Sequence, residues 1–307
     1  MNKNNYSLQL FAGIDTLEVT SPTYLGDVNF DFVTHDETRR IKKEGIDQLP
    51  KYKYRFNPDK TAIDTSTLDG YKIALAYMLE CTAVNAPVKT RLDFRFDLYT
   101  GNYADVFKLN KLLLLLIAEK YKVKNRYQCI DMLTGELKTL CIKNQYIEAE
   151  AYNKAIQEPE SGIACRLELR SKKLYDDEDE DGKELRELEK WYVRIADATT
   201  AVNYKNLIDG INEHLLERYS ELKAKKAIAT AAEFVTKYAD FIFSTRQLVD
   251  LYKRMGFKNP NSAATQYKTK HRIECFSLND LRNYAKTIRN SAAIFTEEAA
   301  AKITAIR

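Results

Sequence analysis

TRLDFRFDLY, residues Thr90 to Tyr99, is the stretch on which the fold turns. Leu92, Phe94, Phe96 and Leu98 alternate with Arg91, Asp93, Arg95 and Asp97. A period of two is that of a β-strand whose apolar side is buried and whose other side is polar. The four charged positions admit two readings. They form a ladder of surface ion pairs, or one acid is offered to a metal ion. Asp93 and Asp97 are four residues apart, roughly 13 Å by strand rise, too far to chelate one ion together. A metal site therefore needs one of them plus a carboxylate from a neighbouring strand, such as Asp15 or Glu168. Oxygen ligands of this kind suit magnesium or manganese.

Other strands are legible on both sides of this one. LQLFAGIDTLEVTS (Leu8–Ser21) has strand-like residues around Asp15, and KYKYRFNP ends at Pro58, whose missing amide interrupts a ladder. Thr67–Glu80 and about Ala104–Tyr121 read as packing helices, the second with a leucine run that predicts a buried face. In QYIEAEAYN the residues Tyr146, Glu148, Glu150 and Tyr152 share one face, although its alanines leave a helix open. After the turn EPESG, IACRLELR alternates again, with Arg166, Glu168 and Arg170 on one side. The turn and the second half favour a hairpin. The predicted class is α+β, an antiparallel-sheet domain over 1–175 followed by a mainly helical region.

The totals bound the rest. The 307 residues, 45% hydrophobic and 30% charged, are enough for one large or two modest domains with proper cores. The polar start lacks a signal-peptide core, and the apolar run Leu112–Ala118 is too short to span a bilayer, so no membrane association is expected. Five irregularly spaced cysteines read as reduced thiols of a cytoplasmic protein. The three histidines lack metal-ligand spacing, which argues against zinc.

The formal charge is only +4, but its distribution is uneven. From Phe241 to Arg307 there are twelve Lys or Arg against five Asp or Glu. A basic end on an acid-bearing front suits a protein that grips a polyanion with one part and uses carboxylates in another; a solubilising tail is the plain alternative. DDEDEDGK (Asp176–Lys183) reads as a solvated linker or loop, with a helical domain over 184–307 beyond it. Within that domain STRQLVDLYKRMG, GFKNPN and SAATQYKTKHR have the order of a helix-turn-helix unit. Its candidate phosphate contacts are Lys253, Arg254, Lys268, Lys270 and Arg272. Such helices also occur in bundles that bind nothing.

Tyr152 is the chemically interesting tyrosine, although twenty tyrosines make any one of them an amphipathic core-edge residue by default. A phenol, with a pKa near 10, attacks phosphorus only when a cation draws charge from the phosphate and basic groups help the phenolate develop. By strand alternation Lys154 falls on the same face.

The ordered series YRFNPDK (Tyr54–Lys60), TRLDFRFD (Thr90–Asp97), AYNKAIQE (Ala151–Glu158) and CRLELR (Cys165–Arg170) resembles the replication initiators of rolling-circle plasmids of the Staphylococcus type. Initiators of phages and relaxases of conjugative elements are relatives. The resemblance covers about Ile14–Leu174. It implies a nicking-joining nuclease whose tyrosine cuts one strand of a single-stranded or cruciform origin and stays on the 5′ phosphate. The released 3′ hydroxyl primes replication, a host helicase is recruited, and strand transfer at termination makes a homodimer plausible. Residue by residue it implies Tyr152 as nucleophile, with Asn153, Lys154, Gln157 and Glu158 as its companions. Asp93 and Glu168 match the metal-binding acids, Asp97 a second acid of its strand. Arg91, Arg95 and Arg170, on the faces of those acids, are candidate DNA contacts. The chain departs from the family pattern at Glu150, where a basic residue is usual, at Ala155, at an extra Ile156, and at Arg170, where a second acid is usual.

Three functions follow as expectations. One is a metal-dependent DNA nickase and strand transferase. Another is a DNA-binding initiator or regulator without catalysis, favoured by those departures. The third is an oligomerisation protein.

Overall fold

The computed structural model describes residues 9–21, 33–38, 51–57, 63, 69–70, 73, 88–99, 103–130, 137–157, 162–172, 183–271 and 275–305. Eight strands form one antiparallel sheet: β1 (Gln9–Ser21), β2 (Val33–Thr38), β3 (Lys51–Phe56), β4 (Val88–Tyr99), β5 (Asn125–Ile130), β6 (Leu137–Lys143), β7 (Glu148–Tyr152) and β8 (Cys165–Lys172). Their spatial order is β2-β3-β1-β4-β8-β7-β6-β5, so the strand read first in the sequence, β4, lies inside the sheet between β1 and β8.

The apolar side of β4, Leu92, Phe94, Phe96 and Leu98, is buried together with Leu167 and Leu169 of β8 and Ala149 and Ala151 of β7. Against it lies helix α1 (Tyr103–Lys120). Residues Leu112 to Ala118 are all buried, because α1 has the sheet on one side and helices α3 (Lys183–Ala198) and α4 (Ala201–Ala224) on the other. A helix apolar on every side belongs in such an interior position. The small Ala149 and Ala151 let the helix approach the sheet closely. They are strand residues here because pairing on both edges of β7 overrides their helix propensity.

The same core takes in Leu188, Trp191 and Ile195 of α3, and Leu281, Tyr284 and Ile288 of α8 (Leu278–Ala305). Residues on both sides of the acidic run thus share one core; the run itself, 176–182, lies outside the described residues. A second, smaller core joins the far half of α4 to α5 (Ala231–Lys237), α6 (Thr245–Arg254) and α7 (Pro260–His271). Among the described residues no helix is long and apolar enough to cross a membrane.

Local differences from the sequence expectations have local causes. Tyr146 is not on the strand. The Asn144 side chain accepts hydrogen bonds from the amides of Tyr146 and Ile147, at 2.8 and 2.7 Å, and this turn delays β7 until Glu148. Tyr146 is left 70% exposed. The helical pattern expected beyond residue 184 is interrupted at Lys226, whose φ is 54°, and restarts where Thr230 caps α5. Of the helix expected over Thr67–Glu80, Asp69, Gly70 and Ile73 are helical and the remainder lies outside the described residues.

Candidate active site on the polar face of the sheet

Register places the charged side chains in a grid on the face away from α1. Across β4 and β8, Asp93 stands opposite Arg170, Arg95 opposite Glu168 and Asp97 opposite Arg166. Each of these pairs joins opposite charges. Across β8 and β7, Arg170 meets Glu148, Glu168 meets Glu150 and Arg166 meets Tyr152. The Glu150–Glu168 pair is the exception, two like charges directly opposite, which is unfavourable without a cation between them.

Arg170 is that cation. Its Nη1 is 2.8 Å from Glu148, while Nη2 lies 2.5 Å from Glu150, 2.9 Å from Glu168 and 2.8 Å from the Tyr152 hydroxyl. Its Nε is 3.5 Å from Asp93 without forming a hydrogen bond. Burial opposes the charge of Arg170, but the Tyr152, Glu168 and Glu150 oxygens hold its pKa above the ordinary value. The Tyr152 hydroxyl also donates to Glu168 at 3.2 Å.

Asp15 reaches this cluster through a β-bulge. Ile14 pairs with Phe94 and Thr16 with Asp93, so Asp15 is an extra residue on β1. Ile14 and Leu17 keep their places in the core, whereas Asp15 and Thr16 both lie between them. Bulges re-aim side chains in this way beside functional sites. Among the described residues, one oxygen each of Asp15, Asp93 and Glu168 lies within 4.8 Å of the others. Three hard oxygen donors at that spacing fit magnesium or manganese.

Each of the three acids also has a guanidinium partner. Arg91 donates to Asp93 from Nε at 2.8 Å and from Nη2; Arg166 reaches Asp15 at 2.7 Å; Arg170 reaches Glu168. Burial raises the pKa of Asp93, with Arg91 opposing. Burial, then the Asp15 charge, pushes Glu168 up to about 8. Tyr152 is raised well above the usual phenol value by burial first and by the Glu168 charge next, Arg170 acting the other way.

Asp97 stands apart from the three-acid group and is gripped by Arg166 at 2.6 and 3.0 Å. Arg91 and Arg170 are engaged by face carboxylates, and Arg95 lies 3.7 Å from Asp97. Lys154 does not continue the alternation, because β7 ends at Tyr152 and Lys154 opens the short helix α2 (Lys154–Gln157), where it is half-buried. Asn153 is buried with its Oδ1 unpartnered, while Gln157 donates to Thr139 at 3.0 Å. Lys253 and Lys270 are exposed, Lys268 is half-buried, and Arg254 pairs with Glu213 at 2.8 Å. Arg272 and Glu158 lie outside the described residues.

No protein-family model matches the chain, and no curated protein matches it. Among solved structures it is similar to a rolling circle replication initiator protein from Geobacillus stearothermophilus. Identity is 17%, over 54% of this chain and 75% of that one, with a TM-score of 0.29. At those values the likeness decides neither fold nor chemistry, and both rest on the geometry above.

Sequence reasoning passed over Arg166, which fastens Asp15 and Asp97 together. The alternation of IACRLELR already placed it beside Glu168 and Arg170. What it lacked was the register, which alone says that Arg166 faces Asp97.

Proposed function

We propose that the protein nicks and rejoins one strand of DNA at a replication or transfer origin through a 5′-phosphotyrosine link at Tyr152. The observation that carries this reading is the Tyr152 hydroxyl 3.2 Å from Glu168, itself one of three clustered carboxylates. The ordered motifs from Tyr54 to Arg170 add to it.

In the proposed step the Tyr152 oxygen forms a bond to phosphorus as the bond from phosphorus to the 3′ oxygen breaks; the phenol proton passes to Glu168, and the departing 3′ oxygen takes a proton from water to become the 3′ hydroxyl. Glu168 already accepts the phenol hydroxyl's hydrogen bond at 3.2 Å, which places it to take that proton when its carboxylate is ionised. Arg170, 2.8 Å from the phenol oxygen, stabilises negative charge as it develops there. Asp15, Asp93 and Glu168 would hold a divalent cation, which when bound withdraws charge from the scissile phosphate. The phosphodiester energy is kept in the protein–DNA link, so rejoining needs no nucleotide. Partners under this reading are origin DNA presented as a single strand or cruciform, a host helicase, and a second subunit for the terminating transfer.

A second reading has its own support. Every acid of the trio is already neutralised by a guanidinium, as in a purely structural ion-pair network. On this reading the protein binds DNA as an initiator or regulator and cuts nothing.

The two are separated by incubating the full chain with random single-stranded oligonucleotides and Mn2+, then looking for an adduct that survives denaturing electrophoresis. The nicking reading expects an adduct with the wild type and none with Tyr152→Phe. An adduct retained in Tyr152→Phe removes Tyr152 as the nucleophile. Binding without any adduct favours the non-catalytic protein.

A further inference from the structure

The sheet-face arginines are spent on internal ion pairs, but the lysines around α6 and α7 are not. From Leu251 to Ile273 the sequence contains no Asp or Glu and six Lys or Arg. Lys253, Lys258 and Lys270 are exposed and Lys268 half-buried. Among the described residues none of these four lysines is in an ion pair. Arg254 is matched by Glu213 and Asp250, whereas the four lysines leave positive charge on the surface, complementary to a polyanion.

The two helices are held in a fixed relation. Ser244 caps α6 by accepting from the Gln247 amide at 3.0 Å, and the Gln247 side chain accepts from Phe243 N at 2.7 Å. The turn 255–259 contains Gly256 at φ 88°, a left-handed conformation that glycine adopts without strain. Tyr252 packs on Phe257, with ring centroids 4.7 Å apart, and Tyr267 of α7 donates to Thr236 of α5 at 2.7 Å. Ala264 and Tyr267 face inward.

Ser262, Thr265, Gln266 and Thr269 are left exposed on the opposite side of α7. Their spacing of three, four and seven residues puts them on one face, and Gln266 Nε2 lies 3.4 Å from Ser262 Oγ in accordance with it. All four are uncharged and hydrogen-bonding, the type of side chain that distinguishes base edges in a major groove.

We propose that this face of α7 reads base edges in the major groove of duplex DNA, with Lys253, Lys258, Lys268 and Lys270 on the flanking phosphates. The inference deepens the DNA-directed reading above. It does not depend on the nicking chemistry, because sequence-selective binding needs neither Tyr152 nor the carboxylates.

The test uses the full chain in EDTA. Binding is selected from a random duplex library, and affinities are then measured by fluorescence anisotropy at several salt concentrations. The wild type is expected to enrich one motif. Thr265→Ala with Gln266→Ala should weaken binding to that motif about tenfold and leave random duplex unchanged, as loss of a base contact does. Lys268→Gln with Lys270→Gln should weaken both duplexes equally and reduce the log–log salt slope by about 2. Circular dichroism checks that each variant is folded, as expected for positions that are exposed or, at Lys268, half-buried. Three results would each overturn the proposal: no enriched motif, a motif indifferent to Thr265 and Gln266, or a salt slope indifferent to the lysines. A dimer in sedimentation that these variants dissolve would instead assign the face to a subunit contact. Absence of the covalent adduct alongside an enriched motif would sink the nicking reading alone.

Discussion

Arg170 donates to the Tyr152 hydroxyl at 2.8 Å from the same nitrogen that reaches Glu168 at 2.9 Å. One guanidinium therefore neutralises the Glu150–Glu168 pair and faces the phenol oxygen. Removing a buried partner of this kind leaves charges uncompensated, which costs far more than the pair contributes net. Arg170→Met should lower stability by about 3–5 kcal/mol at neutral pH. Arg170→Lys should lose less, keeping the charge but not the fork that spans several acids at once. Urea denaturation of the two variants measures the difference. Equal stability of Arg170→Met and wild type would mean that the acids are held by something else.

The pH dependence follows from Glu168. Its folded pKa of about 8 lies above the ordinary value of 4.5. The folded state therefore holds the extra proton between those values, and folding is progressively disfavoured as pH rises from about 4 to about 8. Arg170 opposes the shift without cancelling it. Glu168→Gln, which has no proton to lose, should gain on the wild type in stability as pH rises from about 4 to about 8, the gap shrinking toward zero near pH 4. Paired denaturation curves in EDTA across that range give the difference directly. A stability gap that widens toward acid would reverse the sign and refute the account.

Cation binding has a readout independent of catalysis. If Asp15, Asp93 and Glu168 hold manganese, the ion stabilises the folded state by about 2.7 kcal/mol at a hundred times its Kd. Thermal denaturation with and without Mn2+ should show an upward shift in the wild type. Asp93→Asn and Asp15→Asn should abolish it. Asp97→Asn should retain it, since Asp97 stands outside the trio. Arg170→Met should bind the ion more tightly, because the guanidinium competes for Glu168. A shift lost in Asp97→Asn and kept in Asp15→Asn would put the cation elsewhere.

Much of this site was legible because its strands alternate strictly. TRLDFRFDLY and IACRLELR placed Asp93, Asp97, Arg166, Glu168 and Arg170 on polar faces from period alone, and both are strands in the structure. Turn chemistry was partly legible. Asn144 ended the alternation before Tyr146, and Lys154 fell beyond the strand, so both extrapolations ran past an element end. Strands β2, β5 and β6 were passed over, their residues carrying weaker alternation. Register was hidden altogether, as it depends on partners far along the chain. The pairing of β4 with β8 crosses more than sixty residues, and only it reveals that Arg166 meets Asp97 and that Arg170 stands opposite Asp93.

The bulge at Asp15 can be removed without disturbing the alternation on either side of it. In Ile14–Asp15–Thr16–Leu17 two polar residues separate two core residues, one more than a regular strand allows. Deleting Asp15 leaves Ile14, Thr16 and Leu17 in strict alternation opposite Phe94, Asp93 and Leu92, with the other pairings kept. The deletion should therefore fold, with stability within about 1 kcal/mol of the wild type. It should lose the manganese-dependent thermal shift as completely as Asp15→Asn does. Arg166 keeps its two bonds to Asp97, so no buried guanidinium is orphaned. Urea midpoints and thermal shifts on the same preparations decide the matter. A deletion that unfolds would make the extra residue a structural requirement of β1; one that folds and still binds the ion would take Asp15 out of the site.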